Sequence, residues 1–158
     1  AAFQSGECDG TGEGKEGYKM NFSENFIREI VEKIVNGTDS FVKEKDKSGV
    51  LAVKTGTVVC EPFQQPGVAV KDIVTLDEAP RIGAGVMELK ETDFSWTLDY
   101  DEFDMVIEGE LEIVVEDRVI RGSKGDILYI PRGSRIHFRT SSYARFAYFV
   151  YPANWQKT

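Results

Sequence analysis

The chain has 158 residues with 27 acidic and 19 basic side chains, a formal net charge of −8. That length suits one domain with a sizeable core plus an extension. The acid excess argues against a nucleic-acid or membrane-surface partner, since both need a concentrated basic face, and no apolar run is long enough to span a bilayer. The two cysteines, Cys8 and Cys60, are too few and too far apart for a disulfide framework or a zinc site, so a reducing cytoplasm is the expected setting.

Residues 1–21 read as a flexible Gly-rich arm, too poor in apolar residues to offset its ordering entropy. Its start, AAFQSGECDG, has neither a basic n-region nor an apolar h-region, so no secretory signal is expected there. Residues 22–37 predict one amphipathic helix. Ser23 can cap it, Phe26, Ile27, Ile30, Val31, Ile34 and Val35 recur at helical spacing, and Gly37 can end it. A helix this short is marginal alone and needs a surface: its own domain, a second copy, or a partner's groove. Residues 38–49 read as a charged linker.

From residue 50 the helical period disappears. VLAV, TVVCEPF, VAVKDIVTL, AGVMEL, FDMVIEG, ELEIVVE, DILYIP, IHFRT and ARFAYFVY alternate with Gly, Pro and Asp signals. Many short strands at close spacing predict a mainly β domain over 50–158, a sandwich or barrel.

Within it, Glu102 precedes Gly109 at the spacing of G-x5-H-x-H-x3,4-E-x6-G. Gly125, Pro131 and Gly133 fit G-x5-P-x-G-x2-H. These are cupin motifs, so the chain resembles a cupin, a double-stranded β-helix or jelly-roll barrel. Trp96, Leu98 and Ile136 stand where that family places its metal-binding histidines, so no His-ligated transition metal is expected. Gly109 and Gly125 are expected at strand ends.

The strand around Glu102 can be read two ways, because side chains alternate between faces. Periodicity alone puts Phe103, Met105 and Ile107 in the core and Glu102, Asp104 and Glu108 in water. The cupin register puts Glu102 and Asp104 in the cavity and leaves an outward apolar stripe that needs a cover, such as the other half of a homodimer. Two inward carboxylates are costly unless paired, protonated or bound to a cation.

KDIVTLDEAPRIGAGVMEL, WTLDYDEFDMVIEGELEI, GDILYIPRGSRIHF and ARFAYFVYPANW are similar to the EutQ family of ethanolamine utilisation proteins. The resemblance implies acetate kinase activity (acetyl phosphate and ADP giving acetate and ATP, reversibly) and a place in the ethanolamine microcompartment of the bacterial cytoplasm. It places Trp96, Tyr100, Glu102 and Asp104 at the pocket. Phosphoryl transfer needs a divalent cation and positioned positive charge. Glu102 and Asp104 are candidates to hold magnesium, which prefers oxygen. Tyr100, Glu102 and Asp104 are the candidate catalytic residues, with Trp96, Arg132 and Arg135 to bind substrate. No phosphate-cradling glycine loop is present for ATP or ADP. The helix 22–37 resembles peptides that dock cargo to microcompartment shells. Two other functions stay open: a non-catalytic assembly or shell-associated factor that binds a metabolite, and an isomerase or lyase with Glu102 and Tyr100 as acid and base.

The only histidine, His137, lies one residue beyond the motif position and is expected at the surface or an interface. Cys60 is expected to pack as a small apolar residue. Arg118, Arg121, Lys124, Arg132, Arg135 and Arg139 form either a solvated hairpin face or an anion-attracting rim.

Overall fold

The computed structural model describes residues 41–155. The arm 1–21 and the helix 22–37 lie outside the described residues. The strands are β1 (Lys43–Lys45), β2 (Leu51–Val53), β3 (Glu61–Pro62), β4 (Val68–Asp72), β5 (Gly83–Thr97), β6 (Asp101–Val115), β7 (Arg118–Ser123), β8 (Ile127–Ile130) and β9 (Arg135–Tyr151), with a 3-10 turn at Thr55–Thr57. β1 and β2 form a hairpin. The others form one sheet in the order β3-β4-β5-β9-β6-β7, with β8 paired to β6. All pairings are antiparallel.

Three long strands replace several short ones. FDMVIEG and ELEIVVE are halves of β6, IHFRT and ARFAYFVY are parts of β9, and AGVMEL opens β5. The breaks in hydrophobic pattern are bulges rather than chain reversals. The register of β5 on β9 shifts between Lys90 and Thr92, where Glu91 has a φ of 43°. β6 shifts on β9 around Gly109, which therefore lies inside a strand, not at its end. Gly109 has a φ of 76°, and a β-carbon there would stand 2.0 Å from the Tyr143 carbonyl oxygen. Such bulges bend long strands and curl the sheet around one interior. Gly125, as expected, sits in the turn between β7 and β8.

That interior holds Leu89, Leu98, Val106, Leu111, Phe138 and Phe146 among its buried residues. On the opposite face of β5 a smaller cluster joins Val86 to Phe41, Val58 and Ile73. The burial of Phe41 and Val42, with β1 paired to β2, corrects the expectation of a charged linker across 38–49. KEK looks like linker by composition, but it is a strand in which Glu44 and Lys45 face water while Lys43 is bonded to Glu78. Arg145 fastens this side of the fold. Its guanidinium bonds Glu88 and donates at 2.9 Å to each of the Thr55 and Val58 carbonyls. No helix among the described residues is long and apolar enough to cross a membrane.

Candidate functional site

β6 follows the motif register, not the apolar one. Glu102 and Asp104 are 4% and 0% exposed, whereas Phe103 and Met105 are 50% and 44% exposed. Pairing fixes this choice. Asp104 lies opposite Leu128 of β8 and Tyr148 of β9, both buried, and Glu102 lies opposite Ile130 and Val150. The former ligand positions also face inward. Leu98 and Ile136 are buried and Trp96, cross-strand from Ile136, is half-buried. Apolar side chains thus fill the place of a histidine set, with one retained carboxylate beside them.

A polar chain runs inward from Trp96. Its indole N–H donates to the Tyr100 hydroxyl at 2.8 Å. That hydroxyl interacts with the Glu102 carboxylate, and Asp104 lies behind Glu102. Burial is the main force on all three acids. It raises Glu102 to about 7, against smaller opposing hydrogen bonds from Asp104 and Tyr100. Burial, then the charge of Glu102, pushes Asp104 well above the usual carboxylate range. Burial, then Glu102, also raises the Tyr100 phenol. The carboxyl pair therefore retains a proton to higher pH than free carboxyls do. Neither Asp104 oxygen has a well-formed hydrogen bond, so burial holds that proton more than bond geometry does.

A second polar pair, not foreseen from sequence, stands on the neighbouring wall. Tyr148 donates to Asp72 Oδ1 at 2.5 Å. Its ring crosses Gly85, which lies opposite it on β5. Burial raises the Tyr148 phenol, helped by Asp72 and then by Glu102. Nothing in the local pattern of ARFAYFVY marks Tyr148. The long-range register of β9 places it.

These walls enclose a cavity of about 740 Å³ lined by Phe63, Trp96, Tyr100, Glu102, Tyr148 and Trp155, among others. Ring centroids lie 4.5 Å apart for Tyr100 and Trp155, and 6.3 Å apart for both Trp96–Trp155 and Phe63–Trp96. The volume is that of a small-molecule site. The lysines that line it, Lys43 and Lys71, are bonded to Glu78 at 2.9 Å and Glu61 at 2.7 Å.

Trp96, Tyr100 and Glu102 thus line the cavity together, with Asp104 directly behind. Arg132 and Arg135 are exposed and are not among the residues that line this cavity. Arg132 belongs to the outer turn, where its backbone N–H is bonded to Asp101 at 2.9 Å. Arg135 precedes the inward Ile136, so strand alternation turns it outward. Half of the basic stretch is paired: Arg118 meets Glu116, and Arg121 and Arg139 share Glu112. His137 is an exposed residue whose Nδ1 lies 2.6 Å from Asp93 Oδ1. Cys60 is half-buried against the smaller cluster, with its thiol on the Val86 carbonyl at 3.4 Å.

Among the described residues no cluster of three or more His, Cys, Asp or Glu forms a metal site. The pair Glu102–Asp104 does fit one hard cation in charge and atom type. Both donors are oxygens, the Asp104 oxygens lack a well-formed partner, and a cation would offset the cost of ionising both. Only Glu102 reaches the cavity wall, so a hydrated ion would meet it first.

The family model described as ethanolamine utilisation protein EutQ matches residues 20–157. A Clostridioides difficile protein named acetate kinase EutQ is 43% identical over 85% of this chain and 92% of its own length. An Escherichia coli protein of the same name is 35% identical over 85% of this chain and 63% of its own, so this chain spans under two thirds of that relative. The solved Clostridium difficile EutQ structure aligns with a TM-score of 0.73 and 44% identity, covering 77% of this chain and 93% of that one. With its cupin register, its apolar replacements at the ligand positions and this match over most of its length, the chain belongs to the EutQ family of ethanolamine utilisation proteins.

Proposed function

We propose that this protein is an acetate kinase, transferring the phosphoryl group of acetyl phosphate to ADP and the reverse, and that the cavity beside Glu102 is where it acts. The observation that carries the assignment to this cavity is the Trp96–Tyr100–Glu102–Asp104 chain, a buried carboxyl pair of which Glu102 lines a ligand-sized space. The names of the relatives support the activity.

In the forward direction a terminal ADP oxygen attacks phosphorus, the bond from phosphorus to the acetyl oxygen breaks, and acetate leaves with that electron pair. The lysines that line the cavity are already bonded to Glu78 and Glu61, which leaves little positive charge for a bare phosphate. A magnesium ion would supply the neutralising charge. Glu102 would hold it from the cavity wall, with Asp104 behind. Tyr100, fixed by Trp96, orients Glu102, and Asp104 sets how much charge Glu102 carries.

The test follows ATP formed from acetyl phosphate, ADP and magnesium. Glu102→Gln should lower the rate by about tenfold or more, as for loss of one group engaged in the transition state. Asp104→Asn should lower it less. Unchanged rates in both would remove the reaction from this cavity. No ATP above a vector control from the wild type would favour the assembly-factor reading.

We further propose that a second copy covers the outward apolar stripe. Phe103 lies opposite Tyr129 and Phe149, Met105 opposite Ile127, and Asp101 opposite Tyr151, and all five apolar partners and neighbours are exposed: Tyr129, Phe149, Ile127, Tyr151 and Phe103 itself. A stripe on one face can meet its own copy across a two-fold axis. Placement in the microcompartment, with residues 22–37 docking to a shell or cargo protein, completes the reading. Residues 1–36 fused to a fluorescent protein should co-localise with shells, and diffuse fluorescence would sink that part.

A further inference from the structure

Acidic groups outnumber basic ones around the cavity. Asp72, Glu102 and Glu61 line it and Asp104 stands behind Glu102. The two lining lysines, Lys43 and Lys71, are already bonded to Glu78 and Glu61. The rings facing this acidic interior are Trp96, Tyr100, Trp155 and Phe63, close enough to contact one another. A ring face attracts a cation through its quadrupole, tryptophan most strongly, and the attraction grows when water is excluded. Asp104 adds an independent sign of a missing partner: it is wholly buried on the inward face of β6 and neither oxygen has a well-formed hydrogen bond.

We infer that this cavity binds a small primary alkylammonium ion, with the ammonium against the Glu102 carboxylate and the alkyl part against Trp96 and Trp155. A primary amine suits the site better than a quaternary one. It has three N–H donors, and the Tyr148 hydroxyl, which spends its proton on Asp72, offers an acceptor beside Glu102. A neutral alcohol of the same size would pack on the rings but would leave the carboxylates unsatisfied. This site shares the cavity with the proposed kinase reaction and does not rest on it. An ammonium ion bound there excludes a magnesium–phosphate complex from Glu102.

The chain has two tryptophans, and both line this cavity, so intrinsic fluorescence reads the site without any assay of activity. Purified protein is titrated at pH 8 with ethylammonium chloride, ethanol and sodium chloride. Ethylammonium alone should change the emission in a saturable way. Glu102→Gln, which keeps the volume, should weaken that response by at least about tenfold, as should Asp104→Asn to a smaller degree. Equal responses to ethylammonium and sodium chloride, or a response that both variants leave intact, would overturn the assignment. Ethanol matching ethylammonium would overturn it too, since the rings alone would then account for binding. Any of these results leaves the ATP-forming assay untouched, so the two readings fail separately.

Discussion

The Tyr148 hydroxyl occupies the space above Gly85 that a β-carbon would need, for a methyl there would stand 2.0 Å from the phenol oxygen. The ring can bridge to Asp72 only because that position is bare. Gly85→Ala should therefore force Tyr148 out of place. The expected cost is about 1–3 kcal/mol, the usual scale of overpacking. Denaturant titration would measure it, and in a Tyr148→Ala background, which removes both the oxygen and the ring carbon 2.1 Å away, Gly85→Ala should cost much less. If Gly85→Ala proves as stable as the parent, the contact is softer than described.

Stability should also fall as pH rises through the neutral range. Glu102 and Asp104 have raised pKa values in the fold, so between about 4.5 and 7 the unfolded chain has lost protons that the folded chain retains. Folding then binds protons, and each one retained contributes a slope of about 1.4 kcal/mol per pH unit against the folded state. The contribution is full below the unfolded pKa and lost as pH climbs through the folded one. Thermal melts at pH 5, 6, 7 and 8 should show the decline, with a shallower one in Glu102→Gln. Glu78 and Glu112, whose pKa values are lowered by Lys43 and Arg139 respectively, act oppositely and only at more acidic pH. A decline of equal steepness in Glu102→Gln would assign the effect elsewhere.

Arg145→Met keeps much of the side-chain volume and removes every donor. It would strand Glu88 and the carbonyls of Thr55 and Val58, which are buried on one side by the smaller cluster. A loss of about 1–3 kcal/mol is expected. Arg145→Lys should restore only part, because a single ammonium cannot span three acceptors in two directions. Amide exchange would localise the damage: the 55–58 segment should lose protection before β6 does.

The outward stripe gives a prediction about mass. Phe103→Lys puts a charge at its centre, against Tyr129 at 4.8 Å between rings, and touches nothing inside the sheet. Sedimentation should show a smaller species than the parent at the same concentration, with cavity fluorescence unchanged. A monomeric parent would remove the need for a second copy.

The sequence and the structure agree most where a motif constrains geometry. The spacing around Glu102 and Pro131 fixes the direction of β6 and β9, and the inward places of Trp96, Leu98 and Ile136 follow. Where only composition was available the reading fails. KEK has the look of a linker, yet Phe41 and Val42 beside it carry the anchor. Arg132 and Arg135 have the right charge for phosphate, but the turn and the alternation of β9 turn both outward. Asp72, Gly85 and the pair Tyr148 and Trp155 come from three separate stretches, and only the register between β4, β5 and β9 and the path of the chain end set Asp72, Tyr148 and Trp155 around one cavity. No local pattern encodes that meeting.

The locked position of Phe41 has a mechanical side. Phe41 and Lys43 line the cavity, and Phe41 is wedged with Val58, Ile73 and Val86. The same ring therefore serves the cavity wall and the smaller cluster. Pulling Phe41 away would open both at once, and the Lys43–Glu78 bond beside it would resist that opening.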